Sequence, residues 1–104
     1  METEQTWVNG TRISMTGRGP LVVLIHGVFM DRRMWESQVA ALSPFNRVCC
    51  LDMLGHGDSS NPPGDRVLAD FLEQVHQVIE FLSKYGKPVL GGFSMGGLVS
   101  QAYA

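Results

Sequence analysis

GFSMG, residues 92–96, places a serine between two glycines at the junction of an apolar segment and a helical one. Residues 88–92 predict a buried strand, and residues 94–104 have the spacing of an amphipathic helix. A serine in such a junction must adopt a strained backbone conformation, and glycines two residues away on either side allow the tight turn. The pattern therefore predicts a turn that projects the Ser94 hydroxyl above a sheet.

The same turn makes Ser94 a candidate nucleophile. The amide of Met95 lies at the predicted N-terminus of a helix, where free N–H groups and the helix dipole stabilise an oxyanion. The alternative is a turn rich in glycine and serine with no chemistry. G-x-S-x-G alone does not separate these two interpretations.

The chain before this turn predicts a regular succession of elements. Asn9-Gly10 is the preferred pair for a two-residue hairpin turn and predicts a hairpin between 6–8 and 11–15. Apolar runs without alternation predict strands buried on both faces, and apolar residues at helical spacing predict the helices between them. These segments are the strands 21–26 and 46–52, a helix over 33–43 with Asp31 as N-cap, the irregular loop 55–65, and a helix over 67–85 that ends before Gly86.

This order predicts an α/β fold in one domain. A hairpin followed by alternating strands and helices is typical of a doubly wound, mostly parallel sheet with an antiparallel hairpin at its N-terminus. The predicted helix after Ser94 is still in register at Ala104, and no later strand covers the sheet. We therefore expect residues 1–104 to form a single incomplete domain, truncated after the helix that follows the serine.

Composition excludes several classes of protein. With 44% hydrophobic and 17% charged residues, the chain is typical of a globular protein rather than a disordered one. A net charge of −2 and the lack of a basic run argue against nucleic-acid binding. The run at 21–25 is far too short to span a bilayer, and the acidic, polar start does not resemble a secretory signal. We expect a cytoplasmic protein that does not bind membranes, and we leave its oligomeric state open.

The two cysteines, Cys49 and Cys50, are predicted to have no special role. Neighbours on a strand point to opposite faces, so they are poorly placed to pair with each other. Two clustered thiols without a second pair of ligands also make a poor zinc site. We interpret both as buried apolar side chains and expect neither a metal nor a cofactor.

Three segments at strand ends together resemble a known family. His26-Gly27 precedes Trp35, the segment 52–59 reads DMLGHGDS, and the segment 92–97 reads GFSMGG. They are similar, in the right order, to the H-G-x(n)-W, D-x-x-G-x-G-x-S and G-x-S-x-G-G blocks of the α/β-hydrolase superfamily. Within it, the resemblance is closest to the small esterases, lactonases and C–C hydrolases, and it covers residues 5–104.

The resemblance implies a serine hydrolase fold and assigns roles to individual residues. Ser94 would be the catalytic nucleophile, and the backbone N–H groups of Val28 and Met95 would form the oxyanion hole. Phe29 and Met30 would add apolar wall at the entrance. The substrate would be a small acyl compound, namely an ester, thioester or lactone, or a C–C bond next to a carbonyl. Motif residues in supporting roles would be His26, Gly27, Gly92, Gly96, Asp52, Gly55 and Gly57.

The acid and base that the family places after the serine have no counterpart here. In the family they and the lid follow the nucleophile helix, whereas His26, His56 and His76 all precede Ser94. Asp52, Asp58 and Asp65 precede it too, and none matches the acid position. The alternative to an enzyme part is therefore a catalytically inactive truncated fragment, or a non-enzymatic piece that binds partners through its uncovered sheet.

The loop over residues 55–65 also excludes a dinucleotide-binding interpretation. Gly55-His56-Gly57 follows a predicted strand, but G-x-G-x-x-G requires a small residue that opens a helix at Ser60. Instead the chain continues into Asn61, Pro62 and Pro63, so the dinucleotide-binding fingerprint is not met.

Overall fold

The computed structural model describes residues 2–104 and contains five strands and three α-helices. The predicted hairpin is present, with Asn9 and Gly10 both at positive φ, as its two-residue turn requires. The elements are β1 Thr3–Val8, β2 Thr11–Thr16, β3 Leu21–Ile25, a 3₁₀ turn Arg32–Trp35, α1 Glu36–Leu42, β4 Arg47–Leu51, α2 Leu68–Phe81, a 3₁₀ turn Ser83–Tyr85, β5 Val89–Gly92 and α3 Met95–Tyr103.

The strands form one sheet in the order β1-β2-β4-β3-β5. β3 pairs in parallel with β4 on one side and with β5 on the other. β2 pairs antiparallel with both β1 and β4, so β2 is the strand that runs opposite to the other four. Because β3 and β5 are neighbours, the segment after Ile25 and the segment after Gly92 emerge side by side at the carboxyl edge of the sheet.

The helices cover the two faces of the sheet unequally. α2 and α3 pack on one face over the larger apolar cluster, and α1 with the turn before it packs on the other. Cys49 belongs to the first cluster and Cys50 to the second, as expected for neighbours on a strand. The α/β architecture with an N-terminal hairpin predicted from the sequence is therefore confirmed.

Two predicted helices differ in detail from the structure. The helix expected over 33–43 begins as a 3₁₀ turn, with Asp31 capping it by accepting from the Arg33 N–H at 2.9 Å, and becomes α-helical only at Glu36. The helix expected over 67–85 ends at Phe81, and a separate 3₁₀ turn leads to Gly86. 3₁₀ geometry is frequent at helix ends, because it pairs terminal groups that an α-helix leaves free.

None of the helices within residues 2–104 is long and apolar enough to cross a membrane.

Candidate active site

Ser94 lies in a strained turn between β5 and α3. Its φ of 56° and ψ of −114° are unusual for a residue with a side chain. A backbone conformation of this kind costs on the order of 1–3 kcal/mol, and it persists only where the surrounding structure imposes it. Here the Phe93 N–H donates to Ile25 O at 3.1 Å, and the Gly96 N–H donates to Phe93 O at 2.9 Å. Ser94 itself is exposed.

The glycines of the turn are required by the close approach of backbone segments. A Cβ on Gly92 would lie 2.5 Å from Gly97 N, and one on Gly96 would lie 2.6 Å from the carbonyl carbon of Ile25. A Cβ on Gly27 would lie 3.4 Å from the Ser94 Cβ. The first and third sequence motifs are therefore in direct contact at the end of the sheet.

The segment after Gly27 is a short exposed turn that we call the 27–30 turn. The Met30 N–H donates to Gly27 O at 3.2 Å, and Phe29 has a φ of 62°. No hydrogen bond within residues 2–104 uses the Val28 N–H or the Met95 N–H. The Met95 N–H is also in the first turn of α3, where amides have no partner inside the helix.

His26 anchors the start of this turn and is fully buried. The Met53 N–H donates to His26 Nε2 at 2.9 Å, so Nε2 carries no proton. Nδ1 must then be protonated, and it donates to Gly27 O at 2.7 Å. Burial lowers the pKa of His26, so the ring is neutral at neutral pH. With both nitrogens engaged, His26 has no free lone pair for a proton from Ser94.

Asp52, at the end of β4, organises the loop that follows it. The fully buried carboxylate accepts from the Asp58 N–H at 3.0 Å and from the Arg32 N–H at 2.7 Å. Gly57 has a φ of 52°, and a Cβ there would collide with the Asp52 carboxylate. Gly55 also has positive φ, 76°, in the same loop.

The other two histidines are engaged elsewhere. His56 bonds Leu54 O through Nδ1 at 2.9 Å, and its ring centroid lies 5.1 Å from that of His26. His76 is half-exposed on α2, where Nδ1 bonds the Tyr103 hydroxyl at 3.0 Å and Nε2 lies 3.2 Å from Glu80. Within residues 2–104, no hydrogen bond links a histidine ring to Ser94.

Two polar residues near the site are not predicted by the sequence patterns. Gln74 lies buried on α2, where its amide donates to Thr11 and to Asp52 O, both at 3.0 Å, and accepts from the Leu54 N–H at 2.9 Å. The sequence does carry a signal for Gln74, because it is a polar residue within the apolar stripe of α2. Arg32, which contacts Asp52 through its main chain and side chain, has no such signal.

Both cysteines are buried in surroundings that disfavour the thiolate. Burial raises the pKa of Cys49 far above its ordinary value, and it raises the pKa of Cys50 to about 12. A thiol is a nucleophile or metal ligand only as its thiolate. Within residues 2–104, no group of three or more His, Cys, Asp or Glu side chains is arranged to hold a metal ion.

The chain is similar in sequence to hydrolases. The sequence model of the alpha/beta hydrolase fold matches residues 20–104. The (E)-2-((N-methylformamido)methylene)succinate hydrolase of Acinetobacter baylyi is 39% identical over 84 residues, which are 81% of this chain and 32% of that protein. The pimeloyl-(acyl-carrier protein) methyl ester esterase of Photobacterium profundum is 37% identical over 88 residues, 85% of this chain and 32% of that protein.

A solved structure shares the arrangement. The enol-lactonase from Burkholderia xenovorans LB400 superposes with a TM-score of 0.85 at 34% identity, over 97% of this chain and 41% of that one. The chain spans about a third of the length of the curated relatives it matches.

Proposed function

Because the chain belongs to the alpha/beta hydrolase fold family, we propose that it carries the nucleophile part of the active site of a serine hydrolase. The observation that carries this proposal is the strained, exposed Ser94 between β5 and α3. Strain of this kind at a nucleophile is typical of a strand-to-helix turn that presents the serine hydroxyl. The contact between Gly27 and the Ser94 turn supports it, because it brings to the same edge the amides of Val28 and Met95, which have no hydrogen-bond partner within residues 2–104.

In the proposed reaction, Ser94 Oγ attacks a carbonyl carbon and forms a tetrahedral intermediate. The N–H groups of Val28 and Met95 stabilise the negative charge that develops on the carbonyl oxygen. The intermediate collapses to an acyl-enzyme ester at Ser94 as the leaving group departs with a proton. Water then attacks this ester, releases the acid product and returns the proton to Ser94 Oγ.

A general base is needed, since a free serine hydroxyl is a weak nucleophile. The hydrogen bonds of His26 leave it no acceptor site, and His76 lies on α2 in contact with Tyr103 and Glu80. We propose that the base and its acid partner belong to the part of the fold that the relatives contain and these 104 residues do not span.

The proposed substrate class is a small ester, thioester or lactone. The names of relatives support it, since one acts on a methyl ester and a structural neighbour is an enol-lactonase. The exposed apolar side chains of Val28, Phe29, Met30 and Phe93 suit an apolar acyl group near the serine. We propose a cytoplasmic location on the composition of the sequence.

A second candidate, a non-enzymatic piece that associates with partners, is favoured by one observation. β5 pairs with β3 on one side, and its other edge has no partner strand within residues 2–104. Val89 on this strand and Leu98 on the adjoining helix are exposed apolar side chains. Such an edge promotes association.

Hydrolysis of p-nitrophenyl acetate by the full-length protein distinguishes the two. Ser94→Ala should lower kcat by about 10⁴- to 10⁶-fold. Ser100→Ala is the matched control, since this serine lies on the same helix and its hydroxyl bonds Gly96 O at 2.8 Å. Activity that survives Ser94→Ala, or an equal loss in both variants, would contradict the proposal.

A further inference from the structure

The 27–30 turn is held at its ends and not by its own side chains. Val28, Phe29 and Met30 are all exposed, Phe29 to 97%. Side chains in solvent do not fix the direction of a backbone amide. The orientation of the Val28 N–H therefore depends on the groups that hold Gly27 and on those that hold the chain after Met30.

Arg32 attaches the downstream end of this turn to β4. Its backbone N–H donates to Asp52 Oδ1 at 2.7 Å, and its guanidinium Nη1 bonds Asp52 Oδ2. The same Nη1 bonds Asp58 Oδ2 at 3.2 Å. One residue thus uses its main chain and its side chain on a single carboxylate, two positions after Met30.

Arg32 and Asp52 form a buried ion pair, so the hydrogen bond from the Arg32 N–H to Asp52 depends on the contact between their side chains. Asp52 is fully buried and the Arg32 side chain is only 11% exposed. Within residues 2–104, Arg32 provides the one ion pair of Asp52. A buried carboxylate that loses its partner charge is left uncompensated, which is strongly destabilising, and it shifts toward water. This shift loosens the bond between Asp52 and the Arg32 N–H.

We infer that Arg32 is a positioning residue that holds the Val28 N–H in the direction of the developing oxyanion. The inference rests on the proposed function, in which that N–H stabilises the tetrahedral intermediate. An oxyanion binds such a donor more strongly than the ground-state carbonyl does, so loss of alignment lowers kcat more than it changes KM.

The test compares two neighbouring arginines in the full-length protein with p-nitrophenyl acetate as substrate. Arg32→Gln should lower kcat by about 10- to 100-fold, which is less than the loss of one whole oxyanion donor, and should change KM by less than about threefold. Arg33→Gln is the matched control, because Arg33 is 73% exposed and pairs with Asp31 rather than with Asp52. It should leave both constants within about twofold of wild type.

A conservative variant keeps the inference falsifiable if Arg32→Gln does not fold. Arg32→Lys retains the charge but not the planar fork, so we expect kcat between those of wild type and the glutamine variant. Circular dichroism checks folding. Wild-type kcat in either folded Arg32 variant, or a change in KM alone, would overturn the inference.

Ser94→Ala in the same assay separates the two levels of the proposal. If this variant stays active, the proposed function fails and the role of Arg32 fails with it. If it is inactive while the Arg32 variants match wild type, only the role of Arg32 is wrong.

Discussion

Adjacent glycines at the start of α3 should respond differently to the same substitution. A Cβ on Gly96 would lie 2.6 Å from the carbonyl carbon of Ile25 and 2.7 Å from the carbonyl oxygen of His26. A Cβ on Gly97 would meet Gly92 O at 3.5 Å, an ordinary van der Waals contact. The atoms that oppose Gly96 are main-chain atoms of and after β3, which cannot rotate away as a side chain could.

The size of the difference follows from these distances. Replacing either glycine by alanine adds about 1 kcal/mol of helix propensity, and this gain is common to both variants. At position 96 the helix must also move from β3 by roughly 1 Å to reach a normal carbon–carbon separation. Overpacking of this kind costs about 1–3 kcal/mol. We expect Gly97→Ala to be more stable than wild type, and Gly96→Ala to lie about 1–3 kcal/mol below Gly97→Ala.

Urea unfolding of the two variants measures this difference, and esterase activity provides a second readout. The shift of α3 also displaces the Ser94 turn, and a misplacement of about 1 Å can lower the rate about 100-fold. Gly97→Ala should keep its activity. Equal stability of the two variants would refute the close approach between α3 and β3 on which the account of the site depends.

Three other properties can be checked. Cys49 and Cys50 should resist alkylation in the native protein and react after denaturation, because burial raises both pKa values; rapid native labelling, mapped by mass spectrometry, would contradict this. Burial lowers the pKa of His26 in the folded chain below the ordinary histidine value of 6.5. Just below pH 6.5, His26 is therefore protonated in the unfolded chain but stays neutral in the folded one. Stability in urea should therefore fall as the pH drops below about 6.5, and His26→Gln should flatten this dependence. The isolated 104-residue chain should be inactive on p-nitrophenyl acetate and should bind ANS. It should also self-associate through the edge of β5, and Val89→Lys should reduce this association. A monomer with a cooperative melt and no ANS signal would show that the exposed edge does not cause association.

Local chemistry explains why much of the fold could be predicted. Asn9-Gly10 specifies its turn because both residues must take positive φ, 47° and 81° here. The apolar run at 21–25 predicts a strand buried on both faces, and β3 is the central parallel strand between β4 and β5. The helix ends were predicted less accurately than the strands. The 3₁₀ turns at Arg32–Trp35 and Ser83–Tyr85 depend on packing as well as on sequence spacing.

The parts that could not be predicted depend on contacts between distant residues. Nothing in the local pattern places β4 between β2 and β3, because strand order depends on pairing between segments that are distant in sequence. Arg32 and Asp52 are 20 residues apart in sequence, and each alone resembles an ordinary charged residue near a loop. The candidate nucleophile could be recognised because its turn requires glycines at fixed spacing, whereas the groups that orient its surroundings have no fixed spacing.

Covalent labelling of the full-length protein with a fluorophosphonate probe shows directly whether Ser94 is an activated nucleophile. The probe forms a stable adduct only with an activated serine, and mass spectrometry of the digested protein locates it. We expect one adduct within residues 89–104, on Ser94, and loss of labelling in Ser94→Ala. Labelling at another residue, or labelling that survives this substitution, would contradict it.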